Sequence, residues 1–249
     1  MHCMRRLSTS TTAFLFVLCA LAAVFAACNE RPAREGSGSS VVAVKCDDSP
    51  SADGMLEERC WKRAMALGPF TPPGGSGRPS QKTIARIGWD TANLYVAFEC
   101  EDADIRSSYH ERDAPLWREE AVEIFLDTDA DGKDYVEIEV SPNRTTFDAY
   151  FAARRAGRRL DWNPRMQVGV LVRGTMNKPA DHDIGWTAEI AIPFDELPGK
   201  VTRPPRAGWK VNMYRIDRLK SRTELSSLRP VPSGDFHDTS SFVPLVFAE

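Results

Sequence analysis

Hydrophobic and polar positions alternate along much of the chain after residue 40. In residues 122–126 and 135–140, aliphatic side chains occupy every second position. A period of two with one apolar and one polar face predicts antiparallel strands packed on one side. The polar positions of these two strands are Glu123, Tyr135, Glu137 and Glu139. We expect this face to be wet and, if the sheet curls, to form an acidic concave surface.

Short segments rich in Val, Ile, Tyr and Phe recur between clusters of Gly, Pro and Asp. This spacing predicts an all-β, jelly-roll-like antiparallel β-sandwich. Only Leu56–Met65 has a helical pattern, with one further turn at Phe194–Leu197. The ten predicted strands are Val41–Cys46, Lys82–Trp89, Leu94–Glu101, Ala121–Asp127, Tyr135–Ser141, Thr146–Ala152, Met166–Arg173, Gly185–Ile192, Trp209–Asp217 and Phe242–Phe247.

The first 27 residues have the pattern of a secretion signal. Two arginines, Arg5 and Arg6, precede the apolar run from Ala13 to Ala27. A charged start, a short apolar segment and small residues at its end are typical of a signal peptide, and the run is shorter than the roughly 20 residues that span a bilayer. Residues 24–28 end on Cys28 and resemble a bacterial lipobox, which implies a lipidated cysteine. Cleavage after Ala27 or one residue earlier, without lipidation, is the alternative.

The remaining chain predicts one tethered domain outside the cytoplasm. Residues 28–40 contain proline, glycine and serine and are expected to form a flexible linker. Residues 41–249 suffice for one core, and no second linker interrupts them. The chain has 32 basic and 35 acidic residues, and removal of the signal takes away two arginines and no acids. This balance gives no support for a nucleic-acid partner. The predicted contact with a membrane is through the lipid anchor at Cys28 alone.

Three cysteines follow Cys28 in the predicted domain. Cys46 and Cys60 flank one short loop, so we predict that they form a disulfide, which the oxidising exterior permits. Cys100 alternates with apolar residues and is expected to point into the core as a free thiol.

The segment from Asp127 to Gly132 resembles the start of a calcium-binding loop. Alternate carboxylates at Asp127, Asp129 and Asp131 could surround a hard cation. The twelfth position of the loop is Ile138, where an EF-hand has a bidentate glutamate. A polar hairpin turn without metal, which Asp and Gly also favour, is the alternative.

Trp117 lies in a loop before a predicted strand, unlike the tryptophans within strand and helix segments. An aromatic ring in such a loop can lie against the C–H face of a sugar, while carboxylates bind the hydroxyls. Packing of Trp117 on the sandwich edge is the alternative.

Several segments, in order and spacing, resemble family 9 carbohydrate-binding modules over nearly all of residues 41–249. The segments that carry the resemblance are Asp53–Glu57 with Trp61, Leu94–Phe98 with Asp102, Leu116–Asp127, Gly185–Phe194, Trp209–Asn212 with Tyr214 and Arg215, and Phe236–Phe242. The resemblance implies a β-sandwich that holds a sugar, often a chain end, between two aromatic rings, commonly with structural calcium.

The resemblance also implies roles for individual residues. Trp117 and Phe236 match the two rings, and Asp102 and Glu123 match the acidic residues that bind hydroxyls. Glu139 occupies the position of a basic contact, so its charge is reversed. Glu137 and Glu139 are further candidates for sugar binding on the same face. The expected function is non-catalytic binding of an oligo- or polysaccharide at the cell envelope, in support of its capture or breakdown.

Two other functions stay open. Glu123 and Glu137 could form the paired carboxylates of a glycoside hydrolase. The same sandwich occurs in DOMON-type haem and redox domains, where Met213 could serve as an axial ligand.

Overall fold

The computed structural model describes residues 40–199, 208–220 and 222–249. The predicted signal peptide, the lipidation site at Cys28 and the linker up to residue 39 lie outside the described residues. Within the described residues, no helix is long and apolar enough to cross a membrane.

The described residues form a β-sandwich, as predicted. All ten predicted strands are present, with ends shifted by at most two residues, and an eleventh was not predicted. The strands are β1 Val41–Lys45, β2 Thr83–Trp89, β3 Asn93–Glu101, β4 Ala121–Asp127, β5 Tyr135–Val140, β6 Thr146–Phe151, β7 Gln167–Arg173, β8 Gly185–Pro193, β9 Trp209–Leu219, β10 Arg222–Ser227 and β11 Val243–Ala248.

The strands join into one curled sheet with the order β6-β5-β4-β9-β11-β1-β2-β3-β8-β7, and β10 pairs with β9. Strand β1 is parallel to both of its neighbours, β11 and β2. The other pairings between these strands are antiparallel. Curling brings the inner faces of β4, β5 and β9 against those of β2, β3 and β8.

The main core fills the space between these two layers. Val122, Ile124 and Ile138 of one layer belong to the same buried apolar cluster as Phe98 and Trp186 of the other. Burial of this apolar area from both layers is the main favourable contribution to folding. Met213 lies in this cluster and is fully buried among aliphatic side chains. The structure therefore gives no support for Met213 as an axial ligand of haem.

The expectation that the outer face of β4 and β5 is wet is wrong. All residues of both strands are buried. A second apolar cluster covers this face, and it includes Phe125 and Tyr135 from the strands together with Val231, Phe236 and Phe242 from distant loops. The alternation correctly separates two faces, but the polar face lies beneath these loops.

A smaller cluster lies on the outer side of the other layer. The structure joins Cys46 and Cys60 in a disulfide, and Cys100 is a buried free thiol. The helix α1 spans only Arg59–Arg63, since Glu58 and Ala64 have extended backbone conformations. Gly88 leaves room for the disulfide, because a Cβ atom there would lie 2.6 Å from the Sγ of Cys46.

Candidate functional site

A cavity of about 630 Å³ opens on the outer face of β4, β5 and β9. Its volume lies in the range of clefts that bind small ligands. It is lined by aromatic, acidic and basic side chains, among them Trp117, Phe236, Glu123, Glu137, Arg155 and Arg158. Four of these six were singled out from the sequence, and the two arginines were not.

Trp117 is positioned by the short 3₁₀ turn Leu116–Arg118, which directly precedes β4. Leu116 is buried and anchors the turn in the second apolar cluster. The Trp117 ring contacts Phe147 edge-on, with 5.1 Å between centroids, and is still 39% exposed. A rigid aromatic surface is thereby held at the mouth of the cavity.

Phe236 lies in the loop between β10 and β11 and lines the same cavity. Its ring stacks on that of Tyr214, with 4.1 Å between centroids and 11° between planes. The Tyr214 hydroxyl donates a hydrogen bond to the Phe236 carbonyl oxygen at 3.0 Å, which fixes the loop over β9. One face of Phe236 is thus covered by Tyr214, and the two predicted sugar-stacking residues share one cavity.

Three glutamates lie side by side beneath the cavity. Glu123 of β4 is paired in register with Glu139 of β5, and Glu137 lies two residues earlier on the same face. Glu123 and Glu137 line the cavity, whereas Glu139 is fully buried. Neither carboxyl oxygen of Glu139 accepts a hydrogen bond of ordinary geometry from the described residues.

Burial dominates the electrostatics of these glutamates. It raises the pKa of Glu137 to about 7. Burial, reinforced by the neighbouring carboxylates, raises the pKa values of Glu123 and Glu139 well above their usual range. The raised pKa values favour the protonated form of these carboxyls, which donates as well as accepts hydrogen bonds.

A basic segment closes one side of the cavity. Arg154 and Arg155 both bind Asp235, with N–O distances of 2.8 and 2.7 Å. Next to them, His237 contacts the Tyr135 hydroxyl at 2.7 Å. Burial lowers the pKa of His237 to about 4, so its ring is neutral. In the sequence, this side of the cavity could have been found from the four arginines within residues 154–159.

The structure does not place Asp102 with these residues. Its carboxylate is buried at the other side of the sheet, where it accepts a hydrogen bond from Arg215 at 2.7 Å and one from the Trp186 indole at 3.3 Å. Asp102 is 2% exposed and is absent from the lining of the cavity. The structure therefore places Asp102 in a buried ion-pair cluster, apart from the other predicted sugar-binding residues.

Comparison with protein families finds a match over most of the chain. The family described as "Carbohydrate family 9 binding domain-like" matches residues 52–248. This match covers most of the chain. The chain belongs to this family.

Comparison with individual proteins and solved structures also finds similar chains. An extracellular protein of Arthroderma benhamiae is 26% identical over 181 residues, which cover 68% of this chain and 80% of the relative. A family 9 carbohydrate-binding module from Caldicellulosiruptor kristjanssonii, solved with cellotriose, superposes with a TM-score of 0.59 at 18% identity over 84% of this chain and 93% of that one. A Bacteroides uniformis protein superposes with a TM-score of 0.65 at 16% identity over 85% of this chain and all of the other. At these identities the two structures establish the shared fold.

The predicted calcium loop of this family 9 member connects β4 to β5. Carboxylate oxygens of Asp127, Asp129 and Asp131 lie within 4.8 Å of one another. Asp127 also accepts hydrogen bonds from the amides of Ala130, at 2.7 Å, and Gly132, at 2.9 Å. Burial and the neighbouring Asp129 raise the pKa of Asp127. Converging hard oxygen donors fit calcium, and the amide bonds hold the turn in shape with or without a cation.

We expect calcium to raise the melting temperature of the protein by about 5 °C at saturation, because the ion binds only the folded loop. A thermal melt with calcium and with a chelator measures the shift. Asp129→Asn should remove it, whereas Asp161→Asn, at an exposed aspartate outside the loop, should not. Equal midpoints with calcium and with the chelator would mean that the loop is a plain hairpin turn.

Proposed function

We propose that this protein is a non-catalytic carbohydrate-binding domain that holds an oligosaccharide, or the end of a polysaccharide, in the cavity between Trp117 and Phe236. The observation that carries the proposal is that both rings line one cavity whose floor contains Glu123 and Glu137. Membership of the family 9 binding domains supports the same function.

The cavity has both kinds of contact that a sugar requires. The exposed part of the Trp117 ring can bury the apolar C–H face of a pyranose, which contributes hydrophobic and dispersion energy. Glu123 and Glu137 line the same cavity and can hydrogen-bond hydroxyls at the edge of the ring.

We place this binding outside the cytoplasm. The extracellular relative supports export of the chain, in agreement with the signal expected in residues 1–27. Lipidation of Cys28 would anchor the protein to the bacterial cell envelope, with residues 28–40 as a tether. The domain would then capture polysaccharide for breakdown by enzymes encoded elsewhere.

A glycan array with the domain of residues 41–249 tests the proposal. We expect binding to at least one oligosaccharide and an affinity at least tenfold lower in Trp117→Ala, because the lost ring removes the stacking surface. Ile184→Ala is the matched control, since it truncates an apolar side chain that is 68% exposed and lies outside the cavity. Absence of binding to every glycan on the array would refute the proposal.

A glycoside hydrolase is the second candidate, because Glu123 and Glu137 line one cavity and the pKa of Glu137 is raised to about 7. A carboxyl with such a pKa is suited to general acid catalysis at neutral pH. Release of reducing sugar from a bound polysaccharide, lost in Glu123→Gln, would establish hydrolysis. Binding without release of reducing sugar supports the non-catalytic domain.

A further inference from the structure

A second depression, which we call the arginine groove, lies beside the cavity. It has a volume of about 420 Å³ and is lined by four arginines and one acidic residue. The lining side chains are Arg106, Arg118, Arg218, Arg222 and Glu119, with Leu219 and Thr223. Such a density of guanidinium groups in one concave surface favours an anionic ligand.

The groove and the cavity are parts of one continuous surface. Ile216 and Leu225 are paired across β9 and β10 and line the cavity. Arg218 and Thr223 are paired two positions further along the same strands, on the same face, and line the groove. Two residues along a strand span about 7 Å, so a chain leaving the cavity reaches the groove at a neighbouring sugar unit.

The turn that carries Trp117 forms a second connection. Arg118 follows Trp117 directly and faces the groove. The guanidinium of Arg218 donates hydrogen bonds to the Arg118 carbonyl oxygen and to the Thr223 hydroxyl. Arg218 therefore supports the turn from the groove side while Trp117 borders the cavity.

The positive charges of the groove are only partly neutralised by the protein. Arg106 binds Asp104 at 2.6 Å, and Arg222 binds Glu224 at 3.1 Å. In the part of the chain that the structure describes, Arg118 and Arg218 have no ion pair with an acidic side chain. Glu119, the one acid in the lining, accepts a hydrogen bond from the Ser108 amide at 2.6 Å and a second from its hydroxyl. The unpaired guanidinium charges of Arg118 and Arg218 therefore stand against the single negative charge of Glu119.

The cavity end of the surface also carries positive charge. Arg155 and Arg158 line the cavity together with two acidic residues, Glu123 and Glu137. Arg158 lines the cavity and has no ion pair with an acidic group of the described residues. Six arginines and three glutamates therefore line the cavity and the groove together, although the chain as a whole has a net charge of −3.

We infer that the ligand is an acidic polysaccharide, with one sugar unit in the cavity against Trp117 and the carboxylate of a neighbouring uronate unit bound by Arg118 and Arg218 in the arginine groove. This inference rests on the proposed function and specifies its substrate class. The Arg118 guanidinium can bind a carboxylate through two parallel hydrogen bonds, which gives the contact geometric specificity as well as charge. Arg218, whose terminal nitrogens already donate to Arg118 and Thr223, adds positive charge.

Titration with a uronic-acid oligosaccharide and with its methyl ester tests the inference, because the ester keeps the same rings without the charge. We expect the acid to bind about tenfold more tightly than the ester at 0.1 M salt, and this preference to fall at 1 M salt, where charges are screened within about 3 Å. A sulfated oligosaccharide in a third titration shows whether the groove distinguishes carboxylate from sulfate, and we expect the carboxylate to bind more tightly.

The variant Arg118→Gln should lower affinity for the acid about tenfold and leave affinity for the ester unchanged. Arg173→Gln is the matched control, since Arg173 is exposed on β7, at the opposite edge of the sheet. Circular dichroism of each variant verifies that it is folded.

The possible results separate the two proposals. Equal affinity for acid and ester would overturn the inference and leave the sugar-binding function standing. Binding of neither compound, together with an empty glycan array, would refute both. Binding of the protein to anionic phospholipid vesicles that is lost in Arg118→Gln, with acid and ester still equal, would assign the groove to the membrane surface and also overturn the inference.

Discussion

Replacement of Glu139 by glutamine is expected to raise the free energy of unfolding at pH 8, because burial raises the pKa of the Glu139 carboxyl. The side chain is fully buried, its carboxyl oxygens lack hydrogen bonds of ordinary geometry from the described residues, and Glu123 and Glu137 are its neighbours. Glutamine has nearly the same shape without the charge, and its amide can donate to Glu137. The variant thus removes one of three mutually repelling acids from a buried site.

The sign of the pH dependence follows from the raised pKa values. Unfolded glutamates titrate near 4.5, and folding raises the pKa of Glu137 to about 7, which corresponds to about 3 kcal/mol. An acid whose pKa is raised by folding contributes its full stability below the unfolded value and loses it as the pH rises through the folded value. The wild-type protein should therefore lose stability between about pH 4.5 and 7 and beyond, because the pKa values of Glu123 and Glu139 are also raised.

Urea unfolding at pH 5 and pH 8 measures this effect. The Glu139→Gln variant should gain stability at pH 8, differ little from wild type at pH 5 and show a flatter pH profile. Some pH dependence will remain, because burial raises the pKa of Glu189 to about 7 as well. Glu57→Gln, at an exposed glutamate, is the control. A uniform loss of stability at both pH values would contradict the interpretation.

Strands with a clear apolar alternation could be predicted from the sequence to within two residues. Strand β10 could not, because Arg222–Ser227 contains a single apolar residue and pairs with only one neighbour. The helix was predicted to begin at Leu56, whereas α1 begins at Arg59. Residues 53 and 54 are held to β8 by the carboxylate of Glu189, which accepts their amides at 3.1 and 2.6 Å. This long-range contact holds the approach to α1 in a bend, where Gly54 has a φ of 89°, and it is invisible to a local pattern.

The candidate site shows the same limit. The family resemblance singled out Trp117, Phe236 and Glu123, and the alternation of β5 added Glu137. The structure brings these four side chains to one cavity. Periodicity reports which residues of a strand share a face, but it cannot report what covers that face. Glu139 is fully buried, so a position expected to be wet became a buried carboxyl.

Asp102 differs from Glu123 in what surrounds it, although both are acids in or beside strands. From the sequence alone, an aspartate directly after a strand can equally well be a ligand contact or the ion-pair partner of a buried arginine. Only the position of Arg215, 113 residues further along the chain, decides between them. The two acids therefore separate into a cavity residue and a structural residue once the sheet has curled.

The ion-pair cluster around Arg215 leads to the second large effect. Its guanidinium lies 2.7 Å from Asp102, 3.8 Å from Asp217 and 4.0 Å from Glu120, and it sits over the Trp186 ring at 4.8 Å. All of these side chains are buried. Burial raises the pKa of Glu120 to about 10 in spite of the arginine, so Glu120 is neutral at pH 7. Arg215 is therefore the counter-charge that the two aspartates share.

We expect Arg215→Met to destabilise the protein by about 4 kcal/mol at pH 8, because it leaves buried carboxylates without a counter-charge. The loss should be smaller at pH 5, where the carboxyls more readily take up protons. Urea unfolding at both pH values measures it, and the double variant Arg215→Met with Asp102→Asn should recover part of the loss, because one of the stranded charges is gone.

Arg86→Met is the matched control for this prediction. Arg86 forms an ion pair with Glu99 across β2 and β3, and the Glu99 side chain is 40% exposed. Pairs in contact with water contribute about 0–1 kcal/mol, so the same substitution should cost little there. A loss of similar size at both positions would mean that the missing side-chain volume, and not the buried charge, determines the effect. A loss confined to Arg215 and reduced at low pH would establish Asp102 as a structural partner of the arginine, on the far side of the sheet from the sugar cavity.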